Sequence, residues 1–269
     1  MGDIQTISRL NFLRISKKIL GTILGKTMVF FYSCYFIILA ISLLVIFNML
    51  INVWVLPNTP NIIKIPLFTI AALYLLNSSL KVLGNFMTLT SPILLLAPLC
   101  ALYAFIDPEP LYLLPILKKE AISIWSGVLS SSFAMQGFLI FPILYPYIEG
   151  TNKEKLLTAT YANLFVTVFY TFIVLACFVY FSPGEFVFLP EPFLFMIKTV
   201  SLIIVERVDL IFLAFWSIIV LSTLTILLYC ATNGLGTIFD KSKTKLYSII
   251  TGSIVATLSL TSPYPFSTS

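Results

Sequence analysis

The chain has 269 residues, of which 59% are hydrophobic and only 10% are charged. Soluble domains carry about 25% charged residues and cannot bury so much apolar surface, so the composition argues against a water-soluble protein. The net charge of +5 comes from basic residues spread between apolar runs, which argues against a nucleic-acid-binding patch. With no histidine and four isolated cysteines, the chain lacks the usual ligand sets, and we predict neither metal nor cofactor.

Residues 1–26 are predicted to form a basic amphipathic segment in front of the first membrane span. The basic part is long and no small-residue cleavage site follows it, so the segment does not resemble a signal peptide. Gly21 and Gly25 form a GxxxG pair, which is either a close helix-packing motif or a chance pattern in apolar sequence.

Charged residues divide the remaining sequence into apolar runs, most of them long enough to cross a bilayer core of about 30 Å as helices. We therefore expect a single membrane domain over residues 1–269, an all-α integral membrane protein with about seven transmembrane helices. The third span is expected to bend at Pro92 and Pro98, and a short surface helix is expected over 199–205. The predicted spans are 28–56, 62–80, 82–106, 121–148, 156–181, 210–231 and 246–264.

The distribution of basic residues predicts the orientation. With the N-terminus in the cytoplasm, 11 basic residues lie in inside segments and 5 in outside segments. Such an excess inside is typical of the cytoplasmic face, so we predict a cytoplasmic N-terminus. The inside residues are Arg9, Arg14, Lys17, Lys18, Lys26, Lys81, Lys153, Lys155, Lys241, Lys243 and Lys245; the outside residues are Lys64, Lys118, Lys119, Lys198 and Arg207.

Apart from Lys64 at the edge of the second span, the predicted spans contain no ionisable side chain other than cysteine and tyrosine. Proton-coupled transporters usually keep an acidic residue or histidine at membrane depth, so a proton relay within this chain is not expected. Glu120 and Asp209 lie at span ends, where we expect water to solvate them. No nucleophile–base pair or pair of carboxylates is apparent, and we do not predict an enzyme.

Neutral polar residues concentrate in the fourth predicted span. The stretch 130–137 reads SSSFAMQG and is followed by Pro142 and Pro146. One interpretation is a helix interrupted between Ser130 and Gly137, whose freed backbone groups bind a small polar ligand. The other is a kinked helix packed through its small residues. The candidate ligand-binding residues are Ser131, Ser132, Phe133, Ala134, Gln136 and Gly137.

Weaker polar signals lie in other spans. Asn163 and Thr167 are one helical turn apart and are expected to share a polar face of the fifth span. Thr223 and Thr225 in the sixth span are expected to bond to their own backbone. The four cysteines, each inside an apolar run, are expected to be buried and structural.

Several segments, in their order along the chain, resemble the GerAB-type spore germination permeases, which are the B subunits of germinant receptors. The element Glu206-Arg207-x-Asp209, placed before an apolar helix with Trp216, is the most specific of them. The other segments are Ile19-Leu20-Gly21 with Gly25-Lys26, Leu56-Pro57-Asn58-Thr59-Pro60, FAMQGFLIFPILYP at 133–146, and LPEPFLFMIKTVSLIIVERVDLIFLAFW at 189–216.

The resemblance implies a partial inverted-repeat, LeuT-like transporter fold of the amino acid–polyamine–organocation superfamily. The segments match family helices three to nine, so helices one, two and ten are expected to be missing. The fourth span then matches family helix six, and the stretch 130–137 is half of the superfamily ligand site.

The function implied is a permease-like receptor subunit in the spore inner membrane that senses a small nutrient such as an amino acid. Its expected partners are the germinant receptor A and C subunits, the nutrient ligand and the lipid bilayer, with no nucleic acid. Two alternatives remain open, an amino acid transporter of the same superfamily and an inactive truncated fragment.

Overall fold

The computed structural model describes residues 21–106, 108–114, 121–200 and 207–262, and within these ranges all regular structure is helical. The α-helices are α1 (Thr22–Trp54), α2 (Asn61–Leu76), α3 (Leu80–Thr90), α4 (Leu96–Ala101), α5 (Ala121–Ser132), α6 (Phe141–Leu144), α7 (Asn152–Tyr180), α8 (Pro183–Phe186), α9 (Pro192–Thr199), α10 (Val208–Ile238) and α11 (Thr244–Thr261). The 3₁₀ helices are Ser91–Leu95, Leu102–Phe105, Pro110–Leu113, Phe133–Ile140, Tyr145–Tyr147 and Lys241–Lys243. The predicted all-α membrane class is confirmed.

Four helical runs within the described residues are long and apolar enough to cross a membrane. They are α1, the run Leu80–Phe105, α7 and α10. A fifth is the bent pair Ile124–Ser132 and Ala134–Tyr147, while α2 is a shorter apolar helix of 16 residues. The seven-span topology therefore stays a prediction for α2 and for α11, which has 18 residues and several hydroxyl side chains.

The ends of the helices follow from residues with strong local preferences. Gly21 has φ 82, a conformation that favours glycine, and α1 begins directly after it. Helix α1 therefore already contains residues 22–26 of the predicted amphipathic segment, and residues 1–20 lie outside the described part. The Ser79 hydroxyl caps α3, and Thr151 forms a reciprocal capping box with Glu154 at the start of α7.

The segment between the fifth and sixth predicted spans contains two short helices. Helix α8 begins after Ser182, whose side chain caps it together with Glu185. These hydrogen bonds favour the ionised carboxylate and lower the pKa of Glu185. Helix α9 ends at Thr199, where the predicted surface helix was expected to begin, and residues 201–206 lie outside the described part.

The chain divides into two compact units, of which the first comprises Met1–Pro92, Pro142–Tyr147 and Leu213–Ser269. Helix α11 packs against both α1 and α2, and Gly252 approaches the Leu73 side chain so closely that a Cβ would lie 2.7 Å from it. Phe47 of α1 stacks on Phe68 at 4.2 Å and contacts Trp216 at 5.8 Å between ring centroids. The first unit is thus built from helices at both ends of the chain.

Polar side chains join α1 to α2 at their shared turn. The Lys64 ammonium donates to the Asn52 side chain and, at 3.4 Å, to the Leu56 carbonyl. The Asn52 amide donates in turn to Asn61 at 2.9 Å. Because a cation near the carboxyl end of a helix is favourable, these bonds stabilise the α1–α2 hairpin.

The second unit comprises Ile93–Phe141 and Ile148–Phe212. Its core contains four fully buried residues, Ala101, Ala104, Ala176 and Met196, with Phe172 and Ile173 packed against them. Helix α7 contacts α4, α9 and the 3₁₀ helices at 102–105 and 110–113. Small alanines allow these helices to approach one another closely.

The structure confirms the prediction about two threonine hydroxyls and corrects the one about the cysteines. The Thr223 and Thr225 hydroxyls donate to carbonyls one turn back, as expected, at 3.0 and 2.7 Å. All four cysteines are free; Cys177 and Cys230 are buried, whereas the expected burial is wrong for the other two, Cys34 and Cys100, which are half-buried.

Candidate functional site

The fourth predicted span is broken at the predicted place. Helix α5 ends at Ser132 and continues as the 3₁₀ helix Phe133–Ile140, and the two arms of the span meet at 47°. In a 3₁₀ helix each N–H donates to the carbonyl three residues back, with poorer geometry than in an α-helix. The predicted interruption between Ser130 and Gly137 is confirmed, in the form of a tightened helix rather than an unwound strand of chain.

The three serines before the break bond to their own helix. Ser130 donates to the Ser126 carbonyl at 3.0 Å, and Ser131 and Ser132 donate to carbonyls three residues back at 3.0 and 2.6 Å. Serine bonds of this kind bend helices and compete with the regular backbone pattern. They account locally for the change of helix type directly after Ser132.

Most residues at the break in the fourth span are exposed. Ser131, Ser132, Ala134 and Gly137 are exposed, and Gln136 is half-buried. A Cβ built on Gly137 would meet no atom within 4 Å, so its glycine is not required by close packing. The 3₁₀ helix contacts α7 of the same unit. For Phe133 the backbone alone is described.

Each of the two sequence-based interpretations is supported by one of these observations. The serine hydroxyls are engaged with the backbone, as the packed-kink interpretation expects. The open space beside Gly137 is not expected of a helix packed through its small residues. The six candidate residues are brought together in one short segment, and their binding of a ligand stays a prediction.

The third span changes helix type at the place where the sequence predicts a bend at Pro92, and the bend itself stays a prediction. Helix α3 ends at Thr90, and the 3₁₀ helix Ser91–Leu95 follows. The Thr90 hydroxyl lies 3.3 Å from that of Ser222 on α10, and both residues are buried. This buried pair was missed, because nothing in the sequence indicates that residues so far apart along the chain meet.

Asp209 contradicts the expectation that water solvates it. The residue is 0% exposed, and its two carboxylate oxygens accept hydrogen bonds from Arg207 Nη2 at 2.7 Å and Nε at 3.2 Å. The Arg207 side chain is 54% exposed, and its hydrogen bond to Asp209 raises the pKa of the guanidinium. A buried carboxylate requires such a partner. Arg207, two residues before Asp209, was the feature of the sequence that could have predicted this ion pair.

Two other charged residues near the ends of the predicted spans are Lys155 and Glu120. Lys155, which directly precedes the fifth predicted span, lies in the first turn of α7 and is 8% exposed. Glu120 lies outside the described residues. Within the described ranges, no cluster of His, Cys, Asp or Glu has the arrangement needed to hold a metal ion.

Comparison with known proteins gives one family and one curated relative. The family described as spore germination protein, the spore permeases, matches residues 3–265. Spore germination protein GerQB of Bacillus cereus is 22% identical over 227 residues, which cover 84% of this chain and 62% of GerQB. The chain thus spans less than two thirds of that relative's length. No solved structure matches the chain.

Proposed function

The chain belongs to the spore germination permease family, and on that premise we propose that it is the permease-like subunit of a germinant receptor. In this role it binds a small nutrient such as an amino acid and signals germination. The family match carries the proposal, because it takes in every residue that the structure describes. The helical membrane architecture of the chain agrees with it.

The proposed nutrient site is the segment Ser131, Ser132, Phe133, Ala134, Gln136 and Gly137. Two features support this assignment. The helix changes type at Phe133, and the backbone hydrogen bonds of a 3₁₀ helix have poorer geometry than those of a continuous α-helix. The Gln136 amide offers both donors and an acceptor, and the space beside Gly137 is open.

A sensing role demands less of the chain than proton-coupled transport. A sensor needs only a different affinity for the nutrient in two conformations. A proton-coupled transporter needs a group at membrane depth that binds and releases a proton. Asp209 is engaged by Arg207 in both oxygens, so it is poorly placed for that task.

The proposed setting is the spore inner membrane, with the N-terminus in the cytoplasm. The 11 basic residues in inside segments against 5 outside support this orientation. We further propose that the A and C subunits of the germinant receptor are the partners, and that nutrient binding shifts a conformational equilibrium which these subunits read.

The test uses spores that lack the chromosomal gene and carry it on a plasmid. Germination is followed as loss of optical density against the concentration of each L-amino acid. Gln136→Leu removes the amide at similar volume and is expected to raise the half-maximal concentration at least about tenfold, since a lost bond to a charged ligand is worth about 1.5–3 kcal/mol.

Gly127→Ala is the matched control for Gly137→Ala. Both glycines lie in the same broken span, and a Cβ at either meets no atom within 4 Å. We expect Gly137→Ala to impair the response and Gly127→Ala to leave it unchanged, with equal amounts of the A and C subunits in the spore membrane. Unchanged dose–response curves for both Gln136→Leu and Gly137→Ala would exclude the proposed site.

A further inference from the structure

Lysine residues collect at one end of the first unit. In the described residues of this unit, 21–92, 142–147 and 213–262, there are six lysines and a single acidic residue, Asp240. Lys64 lies at the α1–α2 turn, and the other five lie near the ends of α1, α3, α10 and α11. These five, which we call the lysine patch, are Lys26, Lys81, Lys241, Lys243 and Lys245.

Contacts between α1 and α10 place two parts of the patch together. Ser33 lies against Gly234, whereas Phe47, further along α1, contacts Trp216, which lies earlier on α10. The two helices are therefore antiparallel. The start of α1, which carries Lys26, lies at the same end as the last turn of α10.

Contacts between α2 and α11 add the remaining part. The Ser248 hydroxyl donates to the Asn77 side chain at 3.3 Å, and Gly252 lies against Leu73. The turn between α2 and α3 thus lies beside the start of α11. Because only residues 239–243 separate α10 from α11, the lysines on all these segments belong to one end of the unit.

Two lysines of the patch occupy positions that are unfavourable within the chain itself. Lys81 and Lys245 are each the second residue of a helix, α3 and α11, and neither helix has an acidic residue in its first turn. Cations are unfavourable at the amino end of a helix, where acidic side chains are usual. Asp240 supplies one negative charge, and its oxygens already accept hydrogen bonds from the Ser242 N–H and hydroxyl at 2.9 and 2.6 Å. An anion from outside the chain would therefore balance the patch.

The patch lies at the depth of the lipid headgroups. Runs long enough to span the membrane begin at Leu80 and end at Ile238, each within a few residues of a lysine. Apolar side chains lie among the lysines, with Phe239 67% and Leu246 51% exposed. The rings of Phe239 and Tyr247 lie 6.2 Å apart, and aromatic side chains of this kind are typical of the membrane–water boundary.

We propose that the lysine patch binds the phosphate headgroups of anionic phospholipids. Lipid is the occupant because helix ends that leave the bilayer lie among headgroups. The exposed lysine stems can follow the apolar surface while their ammonium groups reach phosphate. Each lysine near an anionic surface contributes about a fivefold gain in binding. The inference rests on the membrane class of the chain and is independent of the proposed nutrient site.

The first experiment measures which lipid lies beside the patch. The four native cysteines are replaced by alanine, and a bimane label is attached at Leu246→Cys or at Val53→Cys, an exposed position near the other end of the unit. The vesicles contain phosphatidylcholine and phosphatidylglycerol, equally in both leaflets, and one of the two lipids carries a doxyl quencher near its headgroup. We expect phosphatidylglycerol to be enriched at least about fivefold at position 246 and not at position 53.

The second experiment removes charges from the patch. Lys245→Gln is expected to reduce the enrichment by up to about fivefold, and the triple variant Lys81→Gln, Lys243→Gln and Lys245→Gln is expected to abolish it. Lys198→Gln is the matched control, because Lys198 is an exposed lysine of α9 in the second unit, and it should leave the enrichment unchanged. The unfolding midpoint of the triple variant in phosphatidylcholine alone is expected not to fall, which separates lost lipid binding from a lost fold.

Salt distinguishes a lipid headgroup from a free anion. Sodium chloride is expected to reduce the enrichment by screening, and inorganic phosphate at the same ionic strength is expected to reduce it no further. Three results would overturn the proposal. Equal enrichment at positions 246 and 53 that persists in the triple variant shows a general attraction of the lipid, and an absence of enrichment leaves the patch to an acidic segment of a partner protein. Stronger displacement by phosphate than by chloride indicates a site for free anions.

Discussion

Removing the Arg207 guanidinium while Asp209 stays in place is expected to destabilise the protein more than removing the charge of Asp209. Arg207→Gln leaves a carboxylate that is 0% exposed without its two hydrogen bonds. Losing one partner of a buried ion pair costs about 3–5 kcal/mol. Because the Arg207 side chain is 54% exposed, water weakens the pair, and we expect about 1–3 kcal/mol.

Asp209→Asn removes the charge and keeps the shape. The guanidinium then remains half in water, and the amide oxygen still accepts one of its bonds. We expect this variant to cost about 1 kcal/mol. The double variant Arg207→Gln with Asp209→Asn is expected to resemble Asp209→Asn alone, because no buried charge is left in either.

The measurement is a double-mutant cycle on unfolding in mixed micelles of a mild detergent and sodium dodecyl sulfate. Receptor function is not required for it, so the result depends on the packing alone. The reasoning is refuted if Arg207→Gln is no more destabilising than Asp209→Asn, or if the two effects simply add in the double variant.

Three further predictions concern packing, topology and transport. Gly234→Ala is expected to destabilise the protein by about 1–3 kcal/mol in the same unfolding assay, because its Cβ would overlap the Ser33 hydroxyl. Gly84→Ala is the neutral control, since a Cβ at Gly84 meets no atom within 4 Å. Equal destabilisation by the two variants would contradict this reasoning. The helix ends that hold Lys81 and Lys153 and the short 3₁₀ helix that begins at Lys241 are expected to be cytoplasmic, so efficient labelling of Lys153→Cys from outside intact cells would exclude the orientation. The chain alone in liposomes is expected not to accumulate amino acids on an imposed pH gradient, and uptake that collapses with the gradient would favour the transporter alternative.

The sequence was sufficient for those features that depend on local chemistry. The all-α membrane class follows from composition, and the break after Ser132 follows from three serines and a Gln-Gly pair at membrane depth. The backbone bonds of Thr223 and Thr225 were equally predictable, because a threonine inside an apolar helix has few other partners.

Features that depend on which helix faces which were not predictable. Asp209 was expected to be solvated, because a charged residue at a span end usually is, but the folded chain buries it completely. The hydrogen bond between Thr90 and Ser222 requires two distant segments to meet. Asn163 and Thr167 were expected to share a face, but their outward direction depends on the core of the second unit.

The chain order of the first unit sets a limit on how the protein is assembled during synthesis. The α1–α2 hairpin is local, and its polar groups at Lys64, Asn52 and Asn61 satisfy one another as soon as both helices are in the membrane. Helix α11, which packs against both of them, is made after nearly all other helices. Contacts between distant segments form slowly, because a long loop must close first.

The face of the α1–α2 hairpin that packs against α11 therefore lacks this contact until α11 is inserted. During that interval the side chain of Leu73 lacks the close contact with Gly252 that it has in the finished protein. A synthesis pause or a ribosome stalled before residue 244 leaves this surface open to chaperones and membrane proteases. The first unit is consequently completed only when α11 is inserted, although α1 and α2 are the first of the described helices to be made.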